Sequence, residues 1–565
     1  MLKCKNYLVT LILTLTAVLS VYGATTPSAA VCNVYTFDAE GKLYGSANGF
    51  FITSDGLGVA PYEIFQNASR AEVITADGKK HEVYRICGAS SIYNLVKFSL
   101  KEVKTEALTV ASEPVAKGAS LKIVTFPAPK AKTLVTTTAQ QVSDFNDYKF
   151  YDLAAPNHNQ YVGCPVIDAA GKVVGVVQKN NTKNALTACA MDARTIKELI
   201  VNSVGSINFD LRKINIPKVL PSDENEALAF IYMMNKGDSL NYTTALEDFI
   251  TAFPGNAEGY VNRGIYKALK GRYNESDADF QKAASVGATS TGTMKKDGVY
   301  HAYAKTIYDK VTEGGGEDIN TTWSYAGALS MEEKAYSISP NPLYLQQKGN
   351  VQYAMKDYQG AYNSFKDVNN SVLASSQSYY STALSLEKIK GSDEEILTLL
   401  DSAVAKMQKP YTVSQAQYLY FRAIQEIKMQ KYHNASIDFY EYEKVIGPNQ
   451  LTALFYYNKE QTERKARMYK QALEDIRTAQ AKSEKPDYYL YRLEESSLLL
   501  QVGQWDDAIA TAQDLLNELP ENPDCYKIIG IAYGEKKQKA LAIKNLNKAK
   551  ELGDDTVDAF LKKYK

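Results

Sequence analysis

A small side chain recurs along the last two-thirds of this chain, at Ala245, Ser276, Ala328, Ala361, Ala435, Ala472, Ala508 and Ala542, with Ile396 taking the site once. Three residues earlier most copies carry an aromatic, Tyr242, Tyr273, Tyr325, Tyr358, Tyr432, Tyr469 or Trp505. Four residues later comes a large apolar side chain, at Phe249, Phe280, Phe365, Leu400, Phe439, Ile476 and Leu546. Spacings of three and four put these positions on one face of a helix. Most gaps between the small sites lie near a repeat length of about 34 residues. Such a chain folds by stacking helical hairpins, in which small residues admit the neighbouring helix and large ones wedge between successive pairs. Pro254, Pro340, Pro410, Pro448, Pro486 and Pro520 punctuate the helix ends. The longer gap between Ser276 and Ala328 contains Gly314-Gly315-Gly316 and predicts a lengthened inter-helix loop.

The run from Gly259 through Tyr260, Gly264, Tyr266, Ala268 and Tyr273, continued by Ser276, Phe280 and Ala283, resembles the tetratricopeptide repeat. The resemblance implies about nine repeats across residues 222–565, with Asp555–Lys565 as a terminal capping helix. It also implies a superhelix whose concave face holds an extended peptide or a partner's helix. The alternative is a spacer that only orients what precedes it. The tyrosines, 41 in all, are read as packing wedges within this array.

The N-terminus carries Lys3 and Lys5, an apolar run from Tyr7 to Val21, and small residues at Gly23 and Ala24. This is the pattern of a secretory signal peptide over residues 1–23, cleaved after Gly23. A retained anchor is the alternative, although the run is short for a span. Cys4 precedes the apolar run, so it is not placed for lipid modification at the cleavage site. The expectation is an exported protein, periplasmic, envelope-associated or secreted, with no integral membrane segment after cleavage. Export raises the question of bridges among Cys32, Cys87, Cys164, Cys189 and Cys525. Their number is odd, and pairing within each half of the N-terminal domain, or buried thiols, both remain open.

Residues 24–205 read as all-β. Short alternating runs at Cys32–Phe37, Gly49–Ile52, Glu72–Thr75, Leu95–Leu100, Ser120–Phe126 and Lys132–Val142 are broken by turns and followed by a closing helix at Asp192–Asn202. A buried hairpin follows at Gln160-Tyr161-Val162-Gly163-Cys164-Pro165-Val166-Ile167-Asp168 and Val173–Val177. Residues 206–221, with Pro217 and Pro221, read as an extended linker.

Three places in this region, in order, resemble trypsin-like serine proteases of the bacterial stress-protease kind. Gly45 through Val59 is similar to the segment leading to the family's histidine, where this chain continues Tyr62-Glu63-Ile64. Ser91-Ile92-Tyr93-Asn94-Leu95-Val96-Lys97-Phe98 is similar to the strand that begins with the family's aspartate. The hairpin is similar to Gly-Asn-Ser-Gly-Gly-Pro, with Val162 at the serine. The resemblance implies a chymotrypsin-like double barrel whose triad positions hold Glu63, Asn94 and Val162.

A serine nucleophile works only with an imidazole to take its proton and a carboxylate to fix that imidazole. Valine offers no reacting atom, and Asn94 carries no charge. Gln160 replaces the glycine whose N–H helps bind the oxyanion, while the N–H of Val162 remains available for it. Cys164 lies two residues on, but a dyad with His158, read as an exposed loop imidazole, is not expected, because a side chain directed for position 162 is not directed for 164. His81 falls in another predicted turn. No metal-ligand spacing or phosphate-cradling glycine loop occurs, so no cofactor or metal is expected.

Lys plus Arg and Asp plus Glu balance at 64 each, and the charges of the helical part are interspersed. That balance points away from nucleic acid. The function expected is a non-catalytic scaffold that binds a peptide or protein partner, its oligomeric state open. The competing expectations are an endopeptidase with unconventional residues and a chaperone-like quality-control factor.

Overall fold

The structure is a computed structural model that describes residues 26–128, 132–180, 186–205, 207–234 and 236–564. The signal-peptide segment lies outside the described residues. The chain divides into two compact units between Val299 and Tyr300.

The first unit begins with two closed six-stranded antiparallel barrels. The first comprises β1 (Val31–Phe37), β2 (Leu43–Phe51), β3 (Leu57–Pro61), β4 (Arg70–Ile74), β5 (Lys80–Ser90) and β6 (Leu95–Leu100), in the order β1-β2-β3-β6-β5-β4. The second comprises β7 (Ser120–Val124), β8 (Leu134–Phe145), β9 (Tyr148–Pro156), β10 (Pro165–Ile167), β11 (Val173–Gln178) and β12 (Thr187–Asp192), in the order β10-β11-β12-β9-β8-β7. This is the chymotrypsin-like double barrel.

Alternation decides which side chains enter each barrel. In β1, Cys32, Val34 and Thr36 point inward, and the one polar member is satisfied by donating from Oγ1 to Ile64 O at 2.6 Å. β11 breaks the alternation because every residue of Val173–Gln178 is buried. Val174 and Val177 fill the second barrel, while Val173 and Val176 join Val31, Phe50, Val59, Leu95 and Val124 in a core between the barrels. That shared core places the β10–β11 hairpin against β2 and β3.

Two expectations are corrected here. Asp192–Asn202 is not an α-helix: only Ala193–Glu198 forms a 3₁₀ turn, capped by Asp192 at Arg194 N. The β-branched Thr195 and Ile196 disfavour a longer helix, and Ala193, Ile196 and Leu199 are drawn into the inter-barrel core. The extended connector expected after residue 206 is extended only in part. It forms a short helix, α1 (Phe209–Arg212), and then runs beside β5, with Ile86 N–H donating to Pro217 O and Val219 N–H to Ile86 O, each at 2.9 Å. Leu211, Ile214 and Ile216 complete the core of the first barrel, which is why an apolar residue recurs in this proline-bearing stretch.

Helices follow in hairpins. The first unit holds α2 (Glu224–Met233) with α3 (Ser239–Ala252), and α4 (Ala257–Leu269) with α5 (Tyr273–Val286). Arg85 on β5 grips α3 through Asp248, with Nε at 2.8 Å and a terminal nitrogen at 3.0 Å from the two carboxylate oxygens.

The division falls within α6 (Lys296–Glu313), and the second unit continues with α7 (Tyr325–Ile338). Then come the pairs α8 (Pro342–Ala354) and α9 (Tyr358–Asn369), α10 (Ser376–Lys388) and α11 (Asp393–Ala405), and α12 (Val413–Lys428) and α13 (Tyr432–Ile446). Three more pairs follow: α14 (Ala453–Lys465) and α15 (Tyr469–Ala481), α16 (Asp487–Gln501) and α17 (Trp505–Glu518), and α18 (Pro523–Glu535) and α19 (Lys539–Glu551). The short α20 (Asp558–Tyr564) closes the array.

Each small site lies near the start of the second helix of a pair and is buried. The first helix is reciprocally small opposite the large wedge. A Cβ on Gly264 would stand 3.1 Å from the Phe280 ring, one on Gly349 2.5 Å from Phe365, and one on Gly530 2.7 Å from Leu546. Among the described residues no helix is long and apolar enough to cross a membrane.

Candidate functional site in the double barrel

Glu63 sits in a 3₁₀ turn, Tyr62–Ile64, that begins where β3 ends at Pro61. Asn94 precedes β6 with φ of 51°, a left-handed conformation that asparagine tolerates better than most residues. The two are joined: Glu63 N–H donates to Asn94 Oδ1 at 3.0 Å, and Tyr62 N–H donates to Asn94 O at 3.1 Å. The other end of the Asn94 amide reaches the second barrel, where Nδ2 donates to Gln178 Oε1 at 2.9 Å.

Val162 follows a 3₁₀ turn, Asn159–Tyr161, and its carbonyl is the anchor between barrels. It accepts from the backbone N–H of Asn48 at 3.1 Å and from Asn48 Nδ2 at 3.0 Å, while Gln160 O accepts from Nδ2 at 2.9 Å. Gly163 explains the tightness of this junction. Its φ is +82°, and a Cβ there would lie 1.9 Å from Asn48 O and 2.9 Å from Pro61 Cδ. Val162 therefore adjoins a residue packed on Pro61, two positions before Glu63, and Glu63 bonds Asn94. The three positions share one corner between the barrels.

The backbone donors of that corner are occupied. Gln160 N–H donates to His158 Nδ1 at 3.2 Å. Val162 N–H donates to Asn159 O at 3.2 Å, and Gly163 N–H to Val177 O at 2.9 Å. The expectation that the Val162 N–H stays available is thus corrected, because the 3₁₀ turn closes on it.

His158 is exposed and its ring packs against Tyr161. His81 is in β5, paired with Val73, rather than in a turn. Cys164 is fully buried, and burial pushes its thiol far above the ordinary range. Its sulfur approaches Gln160 O at 3.8 Å. The five described cysteines are all free. Among the described residues no group of three or more His, Cys, Asp or Glu is arranged to hold a metal ion.

Two contributors were not singled out from sequence. Asn48 looked like one of several small or polar residues before Gly49, and its only signal was an amide inside a strand otherwise running toward the apolar Phe50 and Phe51. Gln178 is buried at the end of an all-buried strand, a placement that demands a polar partner.

Residues 47–176 match the trypsin-like peptidase domain family, so the N-terminal part of the chain carries a trypsin-like peptidase domain. Among solved structures it is similar to the Rv3671c protease from M. tuberculosis. For the active form the identity is 17% over 34% of this chain and 85% of that one, with a TM-score of 0.28. For the inactive form the identity is 17% over 31% of this chain and 88% of that one, with a TM-score of 0.26. No curated protein matches the chain.

Proposed function

We propose that this chain is an exported, non-catalytic scaffold, in which a proteolytically inactive trypsin-like domain, residues 24–205, is fused through residues 206–221 to a tetratricopeptide array over residues 222–565. The observation that carries the reading is the corner itself. Valine stands in place of the nucleophile, a glutamate and an asparagine in place of the base and its orienting acid, and both nearby N–H groups are committed within the loop. A tetrahedral oxyanion would find no free donor there.

The binding role falls to the helices. Reciprocal small and large packing sites at a period of about 34 residues support the tetratricopeptide reading, and such repeats present a concave face that takes a peptide or a partner helix. The signal-like N-terminus supports a periplasmic or envelope location.

Incubation of the purified chain with unfolded casein, alongside peptide binding followed by fluorescence polarisation, tests the reading. The expected result is saturable binding without cleavage. Turnover abolished by Glu63→Ala or Cys164→Ala would replace the scaffold with an unconventional protease. Suppression of aggregation without saturable peptide binding would favour the chaperone-like alternative.

A further inference from the structure

A carboxyl pair is buried inside one hairpin of the second unit. Glu463 on α14 is 3% exposed and Asp475 on α15 is 7% exposed, and the two carboxyls are close enough to act on each other. Glu463 Oε2 receives no N–H or O–H from the rest of the chain. Two ionised carboxylates so placed would repel each other.

The surrounding charges do not relieve this. Lys459 on α14 is 3.0 Å from Asp475 Oδ2, but its ammonium is shared with Glu443 of α13 at 2.7 Å. Glu460 of α14 is fully buried and its Oε1 also lacks a donor. The nearest other cation, Arg464, is taken by Glu494 of α16 at 2.9 Å and by Gln501 and Ser497. Lys459 is thus divided between carboxylates of α13 and α15, and Arg464 is bonded to one of α16. The preceding hairpin repeats the arrangement: Glu426 stands four residues after Arg422 and twelve before Asp438, as Glu463 stands after Lys459 and before Asp475.

We propose that Glu463 and Asp475 share a single proton that is a structural component of the α14–α15 hairpin, and that its release as pH rises loosens this part of the helical array. Burial, followed by the neighbouring Asp475, holds the Glu463 carboxyl well above the ordinary glutamate range. A group raised in the folded state contributes its stability fully below its unfolded value and loses it as pH climbs through the folded one. The device depends only on the α14–α15 hairpin and the charges of α13 and α16 beside it, so it stands whether or not the scaffold reading does.

Glu463→Gln in the full chain supplies an N–H to Asp475 that cannot be titrated away. Amide hydrogen exchange across residues 453–481, corrected for intrinsic rates, is compared between about pH 6 and pH 9, within which buried carboxyls titrate. The native chain should open at least roughly tenfold more at the upper pH, about 1.4 kcal/mol, while the variant stays level. The infrared carbonyl band of a protonated carboxylic acid should also weaken in the variant. Parallel exchange in the two proteins, or a band untouched by the substitution, would overturn the proposal.

Discussion

The backbone N–H of Glu63 donates to Oδ1 of Asn94 at 3.0 Å, and the same Asn94 amide donates onward to Gln178 Oε1 at 2.9 Å. An uncharged amide thus ties the first barrel to the second. An amide here makes both bonds at once because it donates and accepts, whereas an ionised carboxylate only accepts.

Restoring side chains alone should not restore catalysis. The triple variant Glu63→His, Asn94→Asp, Val162→Ser would supply a nucleophile, a base and an orienting acid, yet the Gln160 and Val162 N–H groups would stay bonded to His158 Nδ1 and Asn159 O. Loss of oxyanion donors costs about a hundredfold to a thousandfold each. No casein hydrolysis above background is expected from the triple variant. Measurable turnover would show that the 159–161 turn opens readily.

Gly163→Ala should be among the most damaging single changes in the barrels. The added Cβ would enter the space of Asn48 O at 1.9 Å, on backbone at φ of +82°. Relief requires moving the strand that supplies both bonds to Val162 O. A loss of about 2–5 kcal/mol is expected, read as a lowered thermal midpoint. Gly171→Ala, also at positive φ but with open space around it, should cost far less.

Elements with one simple environment were legible in the sequence. From Val96 to Leu100 the strand Leu95–Leu100 alternates between barrel interior and half-exposed positions, and its bounds are those of the apolar run in the sequence. The buried small sites announced themselves because each faces a partner helix too closely for a larger side chain. By contrast, Thr187–Asp192 is buried almost throughout and lies between two strands, so it lacks the alternation that marks a half-exposed strand. β9 was missed for a related reason, since Asp152 and Pro156 interrupt its pattern. Glu63, Asn94 and Val162 were singled out from residue types alone. The roles of Asn48, Gln178 and the closed N–H groups arise only from contacts between distant segments.

The described cysteines predict a simple titration. Burial raises the thiols of Cys189 and Cys525 to about 11 and about 12, and those of Cys32 and Cys164 further. The native chain should therefore react slowly with thiol reagents near neutral pH. Denatured without reductant, a chain cleaved after Gly23 should yield all five as thiols. A yield of three or one would reveal bridges.

Ile396 is the test of the small-site logic. It occupies, 4% exposed, the site that is alanine or serine in the other hairpins, and it packs with Leu400, Ala403 and Tyr380. Ile396→Ala should leave a cavity and cost about 2–4 kcal/mol. Ala435→Ile should instead overfill its hairpin, at about 1–3 kcal/mol. If both changes are neutral in the melting of the second unit, side-chain volume does not set the helix spacing.

Glu426 makes the helical array sensitive to pH in a range that can be worked out. Burial first, then Asp438 and Asp401 against the opposing pull of Arg422, raises its carboxyl to about 7. Arg422 is itself engaged by Asp438 at 2.7 Å and Asp401 at 3.0 Å, so its charge is largely spent. Glu426 Oε2 has no donor. Because the folded value lies above the ordinary 4.5, the contribution is complete below that value and disappears as pH rises through about 7, amounting to about 3 kcal/mol. Glu426→Gln should leave exchange protection of α12 unchanged in mild acid and exceed that of the native chain above neutrality. Protection of α12 that is indifferent to pH in both proteins would mean that Glu426 is ionised when folded, with Arg422 neutralising it after all.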